Sequence, residues 1–168
     1  MSASAEHADG RDPALMAKLA GKYLTFVLRN EEYGVSVLKV REIIKAMPPV
    51  PVPQVPPHVR GVINLRGKII PVADLRLKFG LETTETTERT AIIVVEIASP
   101  DGARLVGIQV DEVSEVLNIS TTETDVMPEF GEGIATTYML GVAKVKGAVK
   151  FLLDIDRVFS FDAVLNAA

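Results

Sequence analysis

Two stretches of this 168-residue sequence return later in the chain, in the same order and at nearly constant spacing. Residues 60–79 match residues 139–159 at an offset of 80 positions, and residues 32–45 match residues 105–118 at an offset of 73. The matches are mostly glycines and apolar residues, and they include Gly61 with Gly141, Val62 with Val142, Gly67 with Gly147, Asp74 with Asp154, Phe79 with Phe159, Gly34 with Gly107, Val40 with Val113 and Glu42 with Glu115. Two offsets in one order indicate an ancestral unit of about seventy residues that is used twice.

Each unit contains about five short β-branched runs that Gly, Pro or polar residues interrupt, a pattern typical of strands. The predicted strands are Tyr23–Leu28, Tyr33–Val37, Val40–Ile44, Val62–Leu65, Lys68–Val72, Thr90–Ile97, Arg104–Val110, Val113–Ile119, Gly141–Lys146 and Val149–Leu153. Small sheets of this kind usually close into a barrel, which removes their unpaired edges. We therefore predict an all-β fold of two five-stranded barrels, interleaved lobes at roughly residues 21–89 and 90–160, with Asp101-Gly102 and Lys146-Gly147 as hairpin turns.

The irregular segments fall at equivalent places, between the third and fourth strands of each unit, at residues 46–58 and 120–138. The first holds six prolines, which remove amide donors and favour an extended path, so it cannot be a central strand. Residues 1–20 are predicted to be a flexible extension, apart from a short helical turn that starts at Pro13. Residues 161–168 are predicted to be a tail.

Composition excludes several classes of protein. The sequence is 48% apolar and 24% charged, as expected of a folded globular protein, and it has no cysteine for disulfides or thiol chemistry. A net charge of −4 and the absence of Trp argue against nucleic-acid binding. No run has the ~20 apolar residues of a membrane helix, and the polar start does not resemble a signal peptide. These features predict a cytoplasmic protein.

The sequence offers little for catalysis. Its only histidines are His7 and His58, which are far apart in the chain, and no loop has the spacing of a metal site, so we predict no enzyme activity, metal or cofactor. The carboxylates Asp74, Asp111 and Asp154 follow apolar strands, where hydrogen bonds at a turn or strand end are the favoured interpretation.

Arg66 and Glu42 leave two interpretations open, as do the neighbouring Arg60 and Lys68. Arg66 precedes a glycine between two predicted strands, so it is either a solvated hairpin residue paired with Glu42, worth at most ~1 kcal/mol, or a binding residue. In the second case both side chains lie at the mouth of a groove between the lobes, where Arg recognises carboxylates or backbone carbonyls of a partner.

These segments resemble a known family, the bacterial chemotaxis coupling proteins of the CheW family, whose domain also forms the regulatory end of the histidine kinase CheA. The resemblance spans about residues 21–160. It rests on Glu32-Tyr33-Gly34, Val40-Arg41-Glu42-Ile43, Arg60-Gly61-Val62-Ile63-Asn64-Leu65-Arg66-Gly67, Ile70-Pro71-Val72-Ala73-Asp74-Leu75-Arg76, Val106-Gly107-Ile108 and Val110-Asp111.

The resemblance implies two SH3-like barrels around a shared hydrophobic core, with short terminal helices. It also implies a cytoplasmic, non-catalytic adaptor that couples the signalling tip of methyl-accepting chemoreceptors to CheA and is recruited to receptor arrays. The positions that match the receptor-binding groove are Val40, Glu42, Arg66, Gly107 and Val113. The kinase contact matches Val37, and a ring-forming contact matches Glu129 and Phe130.

Other interpretations of these residues remain. Val40 and Val113 could face one amphipathic helix of a partner or could be ordinary core residues. The proline-rich run could be a ligand for SH3-like partners, and a pocket between the lobes could bind a small molecule. The second unit has Lys144 where the first has Asn64 and Lys146 where the first has Arg66, so the lobes are not interchangeable binders.

Overall fold

The computed structural model describes residues 13–125 and 138–160, which form two small β-sheets with short helices beside them. The strands in these ranges are β1 (Gly21–Leu28), β2 (Glu31–Ser36), β3 (Val40–Lys45), β4 (Val59–Leu65), β5 (Lys68–Asp74), β6 (Ala91–Ser99), β7 (Gly102–Val110), β8 (Glu112–Ile119), β9 (Thr124–Asp125), β10 (Met139–Val145) and β11 (Ala148–Leu153). The helices are α1 (Pro13–Leu19), α2 (Leu75–Lys78) and α3 (Ile155–Phe159), and 3-10 turns cover Val37–Lys39 and Thr121–Glu123. The predicted all-β class is confirmed, and each predicted strand is present.

The two sheets do not follow the boundary between the two sequence units. The five-stranded barrel has the order β3-β6-β7-β5-β4, and the six-stranded barrel has the order β8-β1-β2-β11-β10-β9. The five-stranded barrel therefore combines the first two strands of the second unit with the last three of the first. The six-stranded barrel combines the first two strands of the first unit with four of the second, one more than predicted, because Thr124–Asp125 forms the short β9. Parallel pairs join the units, β2 with β11 and β5 with β7. Residues 21–89 and 90–160 are thus repeats in sequence that exchange strands in space.

A shared hydrophobic core lies between the barrels, as predicted. Strand β6 shows how the sequence builds it, because Ile93 and Val95 belong to the central cluster while Ile92 and Val94 belong to the interior of the five-stranded barrel. Alternate residues of a strand face opposite sides, so a strand buried on both sides is apolar throughout. The six-stranded barrel has its own smaller interior cluster of Tyr23, Ile119, Ala143 and Leu152.

Two matched glycines let an irregular segment cross each barrel. Val50, in the proline-rich segment, exchanges backbone hydrogen bonds of 2.8 and 2.9 Å with Val62 of β4, and Asp125 pairs in the same way with β10. A Cβ at Gly61 would lie 2.6 Å from the carbonyl carbon of Val50, and one at Gly141 would lie 2.5 Å from the Asp125 oxygen. The repeat therefore preserves glycine where two backbones touch.

The hairpin turns follow the prediction at one place and differ at another. Val145 pairs with Ala148, so the turn is Lys146-Gly147, and both turn residues have positive φ. In the β6–β7 hairpin Ser99 pairs with Gly102, so the turn is at residues 100–101 and the prediction of Asp101-Gly102 is wrong by one residue. Pro100 fits the first turn position because its ring fixes a negative φ.

We expect Gly61→Ala to lower the free energy of unfolding by about 3 kcal/mol or more, because it adds a backbone clash to an unfavourable φ of +141°. The control is Gly67→Ala, where φ is +89° and no atom lies within 4 Å of the added carbon. That variant should lose only about 1–2 kcal/mol from backbone strain. Urea unfolding measures both variants. Equal decreases in their unfolding free energies would contradict the importance of the close backbone contact at Gly61.

Candidate functional site

The structure brings Glu42 and Arg66 together, as the binding interpretation and the hairpin interpretation both require. Arg66 lies at the tip of the β4–β5 hairpin with 71% of its side chain exposed, and it forms an ion pair with Glu42 of β3, which is 27% exposed. Strands β3 and β4 are the two ends of the five-stranded order. The pair therefore joins the two ends of the sheet at the barrel rim, where both groups remain accessible to a partner.

An open pocket of about 460 Å³ lies beside this pair. Its apolar side chains are Leu65, Ile70, Val94, Ala103 and Leu105, and its charged side chains are Arg41, Glu42, Arg66, Lys68 and Glu96. Arg41 forms a second ion pair with Glu96 in the lining of the same pocket. An apolar floor under a charged rim suits the binding of a polypeptide segment, which offers apolar side chains and polar groups together.

Gly107 lies in the wall of the same barrel. It is buried opposite Val72 on one side and Val94 on the other, and an added Cβ would lie 2.8 Å from the Cγ2 of Ile92. A larger residue here would disturb the barrel interior before it could touch a partner. The structure thus gives Gly107 a packing role, and its predicted place in a receptor groove stays a prediction.

Val40 and Val113 are half-buried at equivalent positions of the two units, at the start of β3 and near the start of β8. Both pack against the central cluster. Both valines therefore contribute to core packing, and their predicted place in a receptor groove stays a prediction. A helix that reached them would lie along the junction of the barrels.

The predicted kinase contact, Val37, does not end a strand. Strand β2 stops at Ser36, whose hydroxyl accepts a hydrogen bond from the Leu38 amide, and Val37 opens a 3-10 turn. Lys39 fixes the other end through a 2.9 Å ion pair with Asp156 of α3. The turn presents Leu38, which is 91% exposed. The predicted ring-contact residues, Glu129 and Phe130, lie outside the described residues.

The carboxylates after the strands act in the structure as turn and cap residues. Asp74 caps α2 by accepting hydrogen bonds from the Arg76 and Leu77 amides, and it also contacts Arg60 at 3.4 Å. Asp154 caps α3 in the same way. The favoured interpretation of these residues is therefore confirmed.

Asp111 links the two barrels. It lies between β7 and β8, accepts two hydrogen bonds of 2.7 and 2.8 Å from the Arg76 guanidinium, and accepts one from the Arg29 amide in the β1–β2 turn. Burial raises the pKa of Asp111, but the hydrogen bonds and charge of Arg76 and the Arg29 amide outweigh it and hold the pKa below its ordinary value. The hydrogen bond to Asp111 likewise raises the pKa of Arg76.

Comparison with known proteins decides the family. A family model described as the CheW-like domain matches residues 22–163. The chain belongs to the CheW-like family. It is 38% identical over 152 residues to the chemotaxis protein CheW of Klebsiella aerogenes, covering 88% of this chain and 89% of that relative. It is also 38% identical over 150 residues to the chemotaxis protein CheW of Bacillus subtilis, covering 89% of this chain and 94% of the relative.

A solved structure agrees with the family assignment. The scaffolding protein TtCheW from Thermoanaerobacter tengcongensis matches with a TM-score of 0.76 at 31% identity, covering 85% of this chain and 94% of that chain. The resemblance to the CheW family, the SH3-like barrels and the role of a chemotaxis coupling adaptor are thus confirmed. The alternatives of a proline-motif ligand or a small-molecule-binding protein are not favoured.

Among the described helices of this CheW-like chain, none has the length and apolar character needed to cross a membrane.

Several exposed apolar residues were missed by the sequence analysis. Ile43 and Val116 are exposed at matched positions of the repeat, and so are Ile69 and Val149. Aligning the two units and marking the outward positions of each strand would have found all four, whereas nothing in the sequence marks Leu38.

We expect Asp111→Asn to lower the free energy of unfolding by about 2 kcal/mol at pH 7, because it weakens charge-assisted hydrogen bonds that join the barrels. Because the pKa of Asp111 is lower in the folded state than in the unfolded state, its carboxylate stabilises the folded protein at pH values above the unfolded pKa of about 4. That stability is lost as the pH falls through the folded pKa, so wild type and variant should converge in acid. Urea unfolding from pH 7 to pH 3 measures this.

The matched control is Asp101→Asn, at an exposed carboxylate that lies 3.6 Å from Arg104. A surface pair of this kind is worth about 0–1 kcal/mol, so this variant should follow wild type throughout. If the difference in unfolding free energy between wild type and Asp111→Asn stays constant down to pH 3, the proposed link between stability and the ionisation of Asp111 is contradicted.

Proposed function

We propose that this chain bridges the signalling tip of a methyl-accepting chemoreceptor and the regulatory domain of the histidine kinase CheA, so that receptor state controls kinase autophosphorylation. The observation that carries the proposal is the CheW-like match over residues 22–163. In this role the chain is a cytoplasmic adaptor that positions its partners and performs no chemistry of its own, in keeping with the description of its solved relative as a scaffolding protein.

The receptor contact is assigned to the rim of Glu42 and Arg66 and to the nearby junction of the barrels. Arg66 is exposed, sits beside an apolar pocket, and has a carboxylate partner that holds its guanidinium in place. A planar guanidinium can exchange this carboxylate for one on a receptor helix, or bridge both. Val40 and Val113, on the core side of the junction, complete the proposed groove together with Gly107.

The kinase contact is assigned to the 3-10 turn that begins at Val37. Its support is the exposure of Leu38, an apolar side chain that contributes nothing to the fold at 91% exposure. The turn is held at both ends, by Ser36 and by the pair of Lys39 with Asp156, so it is ordered before a partner arrives. A preorganised apolar contact loses little entropy on binding. The ring-forming contact at Glu129 and Phe130 remains part of the proposal.

We expect Arg66→Ala to weaken the receptor contact about tenfold while the unfolding free energy changes by less than ~1 kcal/mol, because the lost ion pair is exposed. The measurement is a pull-down with a receptor signalling-tip fragment and with the CheA regulatory domain, scored beside kinase activation. The matched control is Lys146→Ala, which removes a cation from the equivalent turn of the other barrel. Equal loss of receptor binding in both variants would refute a specific role for Arg66. A decrease of several kcal/mol in the unfolding free energy of Arg66→Ala would show that Arg66 is a structural residue.

We expect Leu38→Ser to weaken binding to the CheA regulatory domain at least fivefold and to leave receptor binding and unfolding unchanged, since the side chain is exposed. Ile69→Ser serves as the control, because Ile69 is 65% exposed but lies on a different part of the surface, on β5. Titration calorimetry with each partner separates the two contacts. If Leu38→Ser binds the kinase domain as wild type does, the kinase contact lies elsewhere.

A further inference from the structure

The two barrels differ at the seam where strands from different units pair in parallel. In the five-stranded barrel, β5 pairs with β7 only from Val72 opposite Gly107 to Asp74 opposite Gln109. Towards the hairpin tips, residues 68–71 keep their ladder with β4 and residues 102–106 keep theirs with β6. No strand pairing connects those two stretches to each other. Their facing backbone edges are therefore left open.

The six-stranded barrel closes the equivalent seam. Its parallel ladder between β2 and β11 continues two residues further, to Phe151 opposite Tyr33 and Lys150 opposite Glu32. The buried Lys150 forms an ion pair with the partly exposed Glu32, and the ring centroids of Tyr33 and Phe151 lie 5.6 Å apart. An ion pair on one side of the strands and an aromatic pair on the other hold this seam shut.

The repeat alignment shows what opens the seam in the five-stranded barrel. Pro71 stands where the second unit has Phe151, and proline has no N–H to donate to a ladder. Ile70 and Leu105 stand at the positions of Lys150 and Glu32, so the ion pair is replaced by two apolar side chains. The difference between the seams is thus encoded in the sequence at a few matched positions.

Two pockets meet at this opening. The pocket of about 460 Å³ reaches the barrel interior, and a second of about 350 Å³ lies beside it along Ile69, Pro71 and Arg104. The same residues of β5 and β7 line both, namely Lys68, Ile70, Ala103 and Leu105. The seam is therefore an opening in the barrel wall with two free strand edges and an apolar lining.

The charge around the seam favours an acidic occupant. Four cations and two carboxylates line the two pockets, although the whole chain has a net charge of −4; they are Arg41, Arg66, Lys68, Arg104, Glu42 and Glu96. The Nε of Arg104 is buried without a hydrogen-bond partner, and its guanidinium lies 3.6 Å from Asp101. A buried donor without a partner costs free energy, which a bound carboxylate or carbonyl would recover.

We propose that the open seam of the five-stranded barrel binds an extended acidic segment of a partner protein, which adds a strand between β5 and β7. Its backbone pairs with the free edges, its apolar side chains cover Ile70 and Leu105, and its carboxylates lie against Lys68 and Arg104. Strand addition of this kind takes affinity from main-chain hydrogen bonds and specificity from alternate side chains. This contact shares the 460 Å³ pocket with the proposed receptor rim of Glu42 and Arg66, and it is separate from the proposed kinase contact.

The test uses the full chain labelled with 15N and two probe peptides, acetyl-EVDVEV-amide and acetyl-KVKVKV-amide. We expect the acidic peptide to shift the amide signals of residues 68–70 and 102–106 and to slow their hydrogen exchange, whereas the basic peptide should leave them unchanged. Lys68→Glu should weaken binding of the acidic peptide at least fivefold, because the substitution reverses a charge at the seam. The matched control Lys144→Glu reverses an exposed lysine on β10 and should bind as wild type does.

Three results would overturn the proposal: shifts confined to residues away from the seam, equal binding of the basic peptide, or undiminished binding by Lys68→Glu. Shifts without slowed exchange at residues 68–70 would also refute strand addition, since they would show side-chain contact alone. Neither the kinase nor the receptor takes part in this experiment. A failure here therefore leaves the coupling function standing, and a failure of the pull-down leaves the seam standing.

Discussion

The fold depends on pairing between strands that belong to different copies of the repeat. Each barrel takes two strands from one unit and the rest, three in one barrel and four in the other, from the second copy. The parallel pairs of β2 with β11 and β5 with β7 are among the ladders that join the copies. The central cluster then receives side chains from both copies and from both sheets. For this reason the two sequence units cannot separate as independent domains without losing ladder hydrogen bonds as well as apolar contact.

Strand exchange also makes the candidate site composite. Glu42 and Arg66 come from the first unit, while Val94, Glu96 and Leu105 in the same pocket come from the second. A duplicated unit that folded alone could not have produced this combination. The two copies were then free to diverge at matched positions, and one such difference is Pro71 in place of Phe151. The six-stranded barrel is closed by an ion pair and aromatic rings, whereas the five-stranded barrel is left open.

The sequence predicts the local features of this structure well, because they depend on neighbouring residues. Strand positions follow from short β-branched runs that Gly, Pro or polar residues interrupt, and Gly61 and Gly141 are marked as special by their matched places in the repeat. Asp74, Asp111 and Asp154 follow strands, which suffices to predict their hydrogen bonds at turns and caps.

Features that depend on tertiary structure could not be predicted in this way. The repeat predicts two similar lobes, but which sheet a strand joins depends on long-range pairing that periodicity does not contain. In the sequence, Val37 looks like the end of a strand. The 3-10 turn that it opens depends on a single local contact of the Ser36 hydroxyl, which the sequence pattern does not reveal. The ion pair of Glu42 and Arg66 was anticipated as one of two interpretations, and only the closure of the sheet brings those residues together.

The reciprocal strand exchange has a consequence for how the chain is made. The five-stranded barrel is incomplete until β7 has been synthesised, and the six-stranded barrel is incomplete until β11 has, so strands β1 to β5 leave the ribosome before their partners from the second unit exist. At 5–20 residues per second, the roughly eighty residues between β5 and β11 take on the order of ten seconds. During that interval the nascent first half presents apolar strands with free edges, and a neighbouring nascent copy offers the same complementary strands as the unfinished second half. The architecture that unites the barrels therefore also makes mispairing between adjacent chains on one polysome a specific hazard of its synthesis.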